Sequence, residues 1–254
     1  MDHMRRGTLS LANVKLVVLD EADEMLSMGF REDIETILRD VPEQRQTVLF
    51  SATMPDAILE LTSQFMRDPQ LIEIDAQKVT LDQIRQQFME VPMGRKLDAL
   101  NLLLRAVEPE RCMIFCNTKF MTDRLTSLLC KEGYQAQALH GDIPQSRRNV
   151  VMNDFKRGKF PILVSTDVAA RGIDVDDVEA VINYDLPNEN EYYLHRIGRT
   201  GRAHKHGVSF SLVTFRESVR MDEILKYMLT VPTPLHFEEG VLKRESGEPF
   251  FENI

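Results

Sequence analysis

The apolar positions change rhythm along the chain. Lys15-Leu16-Val17-Val18-Leu19-Asp20-Glu21-Ala22-Asp23 is an apolar run that ends abruptly in carboxylates. It reads as a strand buried on both faces that delivers acids to the end of a parallel sheet. Before it, Met1 to Arg6 is short, charged and helix-like. After it the pattern predicts helical turns over residues 24–28 and 31–39, a strand over 46–51, a helix over 55–66 and a strand over 70–74. A polar, mixed stretch near 76–83 reads as a linker, and then a strand–helix alternation restarts. Its strands are predicted at 84–91, 111–116, 135–139, 161–165, 179–184 and 208–213, and its helices at 95–105, 119–131, 145–157, 189–197 and 216–228. Such alternation implies right-handed crossovers and mostly parallel sheets, an α/β chain of two domains. Residues 231–254 carry three prolines and five glutamates without a clear period, and a poorly packed tail is expected over 229–254.

Composition narrows the picture. With 31 Lys and Arg against 40 Asp and Glu the formal net charge is −9, which argues against a broad basic surface for nucleic acid and makes any phosphate grip local. The three cysteines, Cys112, Cys116 and Cys130, show no CxxC pair or zinc spacing and read as reduced core residues. No apolar run approaches the ~20 residues of a membrane span, and the polar start is not a signal peptide, so a soluble cytoplasmic protein is expected.

Two clusters carry candidate chemistry. A carboxylate at the end of a parallel strand can hold the Mg²⁺ of a nucleoside triphosphate through water, which points to Asp20. Glu21, the next residue, points differently and suits polarising an attacking water. The plainer alternative is an acidic helix start, since Asp and Glu favour helix N-termini. The second cluster is His195-Arg196-Ile197-Gly198-Arg199-Thr200-Gly201-Arg202. Three arginines and a histidine spaced by glycines read as a flexible turn that aims several guanidinium groups at one phosphate, against the alternative of a solvated basic loop.

Asp20 to Asp23, Ser51-Ala52-Thr53, Ser165-Thr166-Asp167 with Ala170-Arg171-Gly172-Ile173-Asp174, and His195 to Arg202 resemble the motifs of DEAD-box RNA helicases, in that family's order and spacing. The resemblance covers about residues 1–228. It implies a P-loop NTPase fold of RecA-like parallel sheets, with ATP and RNA bound across the cleft between two domains. Residues 1–75 would be part of the first domain and 84–228 the whole second one. The implied activity is RNA-stimulated ATP hydrolysis coupled to local unwinding of RNA duplexes.

By the same resemblance Asp20 is the magnesium-associated acid, Glu21 the base that positions water, and Asp23 a partner of Ser51 and Thr53. Residues 51–53 also read as a cap for the following helix. Arg199 and Arg202 resemble arginine fingers, His195 a γ-phosphate sensor, and Asp174, beside Gly172, the acid that binds the ribose hydroxyls of ATP. RNA contacts are expected at Asn117, Thr118, Lys119, Gly141, Asp142, Gln145, Arg148, Thr166 and Asp167. Most of these are also good helix caps. No stacking aromatic is expected among them, so the grip should follow the sugar-phosphate backbone without reading bases.

One departure stands against the match. The chain contains no G-x-x-x-x-G-K-[ST] phosphate loop. The expectation is an N-terminally truncated helicase that is inactive alone, the alternative being a non-catalytic RNA-binding or interaction module derived from one.

Overall fold

The computed structural model describes residues 1–73, 84–170, 178–201, 207–228, 233–238 and 241–244. The chain divides into two compact units, Met1–Ile74 and Asp75–Ile254.

The first unit runs α1 (Asp2–Arg5), β1 (Leu16–Leu19), α2 (Ala22–Ser27), α3 (Arg31–Asp40), β2 (Gln46–Leu49) and α4 (Asp56–Phe65). Strands β1 and β2 pair in parallel, Leu16 opposite Gln46 and Leu19 opposite Leu49. Ile34 and Leu38 of α3 and Leu61 of α4 pack with Val17, Leu19 and Leu49 on one face of that pair. The other face is open. Leu16, Val18 and Phe50 are each more than half exposed, so β1 is covered on one face and not, as its composition suggests, on both. The reason is local: the apolar faces of α3 and α4 converge on one side of this two-stranded sheet. The strand expected over 70–74 is also not formed at residues 70–73, where Leu71 and Ile72 are 72% and 75% exposed; residue 74 lies outside the described residues. An apolar pair becomes a strand only where a neighbour supplies the ladder.

The second unit runs β3 (Ile84–Glu90), α5 (Lys96–Val107), β4 (Cys112–Phe115), α6 (Lys119–Lys131), β5 (Ala136–Leu139), α7 (Gln145–Lys156), β6 (Ile162–Ser165), α8 (Asp167–Ala170), β7 (Ala180–Asn183), α9 (Asn190–Ile197), β8 (Gly207–Val213), α10 (Ser218–Met228), β9 (Thr233–Glu238) and β10 (Val241–Arg244). The sheet order is β10-β9-β3-β8-β7-β4-β6-β5, parallel throughout except for the β9–β10 pair. Strands β4, β6 and β7 are buried at every position, as parallel strands covered on both faces must be. Alternation decides which side each residue serves. Cys112 and Ile114 pack with Leu100, Leu103, Leu125 and Leu129 on one face, and Met113 and Phe115 with Val151 and Phe155 on the other.

Two expectations need correction here. The tail is not wholly irregular: β9 pairs with β3 and β10 with β9, and Leu235 is buried in the main core cluster. Of the cysteines, Cys112 and Cys116 are buried, and burial first of all pushes their thiols up, whereas Cys130 is exposed.

The sheet also fixes where a site can lie. Strand β4 leads through α6 to β5 on one side, while β7 leads through α9 to β8 on the other. The carboxyl ends of β4 and β7 therefore flank a switch point, where open α/β sheets leave a crevice for ligands.

Candidate functional site

In the first unit, β1 ends at an exposed Asp20, whose Oδ1 accepts the N–H of Glu21 at 3.0 Å. Glu21 sits at φ 50°, ψ 46°, a left-handed conformation that costs a non-glycine residue about 1 kcal/mol and is found at turns held for a purpose. The turn is pinned from the next strand end, since Ala22 N–H donates to Phe50 O at 3.0 Å and Phe50 N–H to Leu19 O at 2.7 Å. One residue further on, Asp23 Oδ2 accepts both the N–H and the hydroxyl of Thr53, each at 2.8 Å. Asp23 Oδ1 accepts Glu24 N–H at 3.1 Å. Partial burial pushes this carboxyl up, but the bonds from Thr53, Glu24 and Ser51 outweigh it and hold Asp23 below its ordinary value.

The strand-end acids and the Ser-Ala-Thr segment, 30 residues apart, are thus one hydrogen-bonded unit. Ser51 itself donates to Thr53 O at 2.6 Å, which shapes the loop that presents Thr53. The expected capping role is not formed: α4 begins after Pro55 with no side-chain cap.

In the second unit the candidate residues collect at the carboxyl edge of the sheet. Thr118 caps α6, its hydroxyl accepting Met121 N–H at 3.1 Å. Lys119, one residue on, pairs with Asp142, whose carboxyl is lowered chiefly by that ammonium. Gly141 lies against the Lys119 stem, where an added Cβ would meet it at 3.6 Å. Arg148 donates to Gln145 Oε1 and to Ala169 O, both at 3.2 Å, tying α7 to the end of α8. Thr166 is buried.

Phe120, beside Lys119, is 71% exposed. An aromatic does therefore interleave with this set, contrary to expectation, and the second position of a helix whose buried residues are Thr122, Leu125 and Leu129 is what turns it outward.

The basic cluster differs most from its sequence reading. His195 to Ile197 belong to α9, and Arg196 is 1% exposed. Arg196 Nε and Nη2 meet the two oxygens of Asp167 at 2.5 and 2.8 Å. Nη2 also donates to Asn117 Oδ1 at 2.8 Å, and Nη1 to Asp185 O at 2.6 Å and Asn183 Oδ1 at 3.2 Å. The guanidinium lies 5.2 Å from the Phe115 ring centre. Tyr193, Arg196 and Ile197 all lie on the buried face of α9. That one-turn spacing was the available signal that this arginine turns inward.

His195 and Arg199 line a small pocket with Phe115, Asp167, Ala170 and Tyr192. Thr200, also buried, donates to Val178 O and lies against Gly207, where any Cβ would collide with the Thr200 side chain and Gly201 N. Gly172, Asp174 and Arg202 lie outside the described residues.

Acids at a strand end joined to a Ser-Ala-Thr turn, and a parallel sheet with polar and basic groups at its carboxyl edge, define a protein of the RecA-like α/β class. The comparisons make this specific. A DEAD/DEAH box helicase family model matches residues 1–61, and a helicase conserved C-terminal domain model matches residues 95–204. The chain is 50% identical over 224 residues to the DEAD-box ATP-dependent RNA helicases CshA of Bacillus cereus and Geobacillus kaustophilus, covering 88% of itself and 43% and 48% of theirs.

Solved structures agree. A DEAD box protein from the hyperthermophile Methanococcus jannaschii is 44% identical with a TM-score of 0.60, and Saccharomyces cerevisiae Dbp5 bound to RNA and ADP BeF3 is 35% identical with a TM-score of 0.83. Each alignment covers 92% of this chain and 63% of the other. The chain belongs to the DEAD-box helicase family, and it spans less than half the length of the curated relatives named here.

Proposed function

We propose that this chain is the part of an ATP-dependent RNA helicase that carries the hydrolytic acids and the RNA-responsive second domain. The observation that carries this reading is the bond pair between Asp23 and Thr53, which joins the strand-end acids to the Ser-Ala-Thr turn. A carboxylate kept ionised by such donors can register the state of its neighbours Asp20 and Glu21.

Asp20, an exposed hard oxygen donor at a strand end, fits a Mg²⁺ ion held through water and by phosphate oxygens. Bound with ATP, that ion would neutralise phosphate charge. Glu21, set by its left-handed backbone, accepts a proton from water. From the second unit, Arg199 and Arg202 supply positive charge to the phosphoryl group, His195 senses the γ-phosphate, and Asp174 beside Gly172 holds the ribose.

RNA is the proposed partner, gripped at Thr118, Lys119, Gly141, Asp142, Gln145, Arg148 and the Thr166–Asp167 turn. Binding is independent of sequence, because helix starts and cations meet phosphates and an exposed Phe120 offers a face that any base accepts. Names of the relatives, and the RNA and ADP BeF3 bound to Dbp5, support the assignment. We place it in the cytoplasm, where the thiols of Cys112 and Cys116 stay reduced.

The test is RNA-stimulated phosphate release. Since these 254 residues hold no phosphate loop, the chain alone is expected to show none, and a polypeptide supplying that loop in trans is expected to restore it. In the restored assembly Glu21→Gln should cut turnover by about 10²-fold or more while nucleotide still binds. RNA binding by that assembly without turnover would favour the non-catalytic module instead. Hydrolysis by the chain alone, removed by Glu21→Gln, would reveal a phosphate site that the sequence does not show.

A further inference from the structure

We propose that Arg196 is a positioning residue that fixes His195 and Arg199 relative to the strand ends at Asn117 and Asp167. This rests on the reading above for what those residues meet, and on the structure alone for the bracket itself.

An arginine has five N–H donors, and all five of Arg196 are engaged inside the protein: two on Asp167, one on Asn117, one on Asn183 and one on the Asp185 carbonyl. It therefore has no donor left for a phosphate, unlike what its place among basic residues suggests. Its partners come from the ends of three adjacent strands, β4, β6 and β7. Those ends surround the switch-point crevice where sheets of this kind place ligands, so the protein sets its own guanidinium there, in the wall of the small pocket that His195 and Arg199 also line.

The partners are committed as well. Asn117 donates from its Nδ2 to Leu186 O at 2.7 Å and from its main-chain N–H to Asp185 Oδ2 at 3.1 Å, while its Oδ1 accepts from Arg196 Nη2. Both carboxylate oxygens of Asp167 face the same fork. The side chains of Asn117 and Asp167 thus serve as links from the RNA-facing edge to α9, and RNA meets their segments through other atoms.

Arg196 follows His195 directly, and Arg199 N–H donates to Arg196 O at 3.1 Å. A shift at the end of β4 or β6 must therefore be carried to both through one planar, five-donor group. Lysine cannot substitute, because an ammonium has three donors and no fixed fork.

The experiment uses the 254-residue chain with ring-labelled histidine, whose six signals are followed by NMR and assigned with His195→Gln. Asn117→Ala removes a neutral side chain and is expected to displace the His195 ring signal. In the Arg196→Lys background the same change is expected to leave it where it was. The His3 and His140 signals should hold still in all variants, as controls of the fold. If Arg196→Lys does not fold, Arg196→Met combined with Asp167→Asn replaces it, since removing both charges leaves neither buried alone.

Displacement by Asn117→Ala that persists without Arg196, or that is absent with it, overturns the proposal. A second arm adds a single-stranded uridylate oligomer, which should move the His195 signal in the unaltered chain and, though still bound, not in Arg196→Lys. An oligomer that binds no form of the chain defeats the RNA reading, while the first arm still decides the bracket.

Discussion

Asp23 shows how much a single carboxylate can carry. Its ordinary unfolded value is near 4, and the bonds from Thr53 and Glu24 hold it lower in the fold. A group so depressed contributes stability that is complete above about pH 4 and is lost as pH falls through the folded value. Thr53→Val keeps the shape and the N–H bond but removes the hydroxyl, so the folded value rises toward the unfolded one. The expected outcome is acid unfolding that begins at higher pH, with a loss at neutral pH of about 1 kcal/mol, below the usual value for a bond to a charge because solvent screens a half-buried carboxylate. Hydrogen exchange of residues 16–65 across a urea and pH series measures both. An unchanged acid limb would mean that Thr53 holds Asp23 through its main chain alone.

Elements follow their neighbours as much as their own pattern. Strand β9 contains Pro234 and lies in the stretch whose prolines and lack of period predict an irregular tail; proline also removes a ladder donor and usually marks an edge. Yet it lies between β3 and β10, with Pro234 opposite Phe88 and Leu235 opposite Met89. What holds it is Leu235, 4% exposed in the cluster that also contains Met89 and Val91. Leu235→Ala should lower the stability of the second unit by about 2–4 kcal/mol, the usual cost of emptying a buried leucine site. Urea unfolding followed by tyrosine fluorescence reads this directly. A change below 1 kcal/mol would show that the hairpin is decoration on a self-sufficient sheet.

At the scale of the whole molecule, the two units differ in how completely they cover themselves. The second sheet is clothed on both faces, whereas β1 and β2 leave Leu16, Val18 and Phe50 exposed on one side. Open apolar surface of that kind is unprotected and raises the population of opened states. Limited trypsin digestion is therefore expected to leave a resistant fragment whose N-terminus lies beyond residue 73. A resistant fragment that keeps residues 16–65 would show that one covered face is enough.

Much of the second unit is legible in the sequence itself, because period-2 and period-3.6 patterns are set by residues close in the chain and buried parallel strands read as continuous apolar runs. The acids at Asp20, Glu21 and Asp23 and the Ser51–Thr53 segment stand out in the sequence for a similar reason, each being a few neighbouring side chains, whereas the helical, inward-turned Arg196 does not.

Three things were decided only by the tertiary structure. Whether β1 is covered once or twice depends on where α3 and α4 dock, not on Leu16 or Val18. Whether residues 233–238 form a strand depends on the free flank of β3. Whether Arg196 meets a phosphate or a buried carboxylate depends on the ends of β4, β6 and β7, brought together from positions 29 and 79 residues away in the chain. A local pattern states what a segment can become, and only the fold supplies the partner that makes it so.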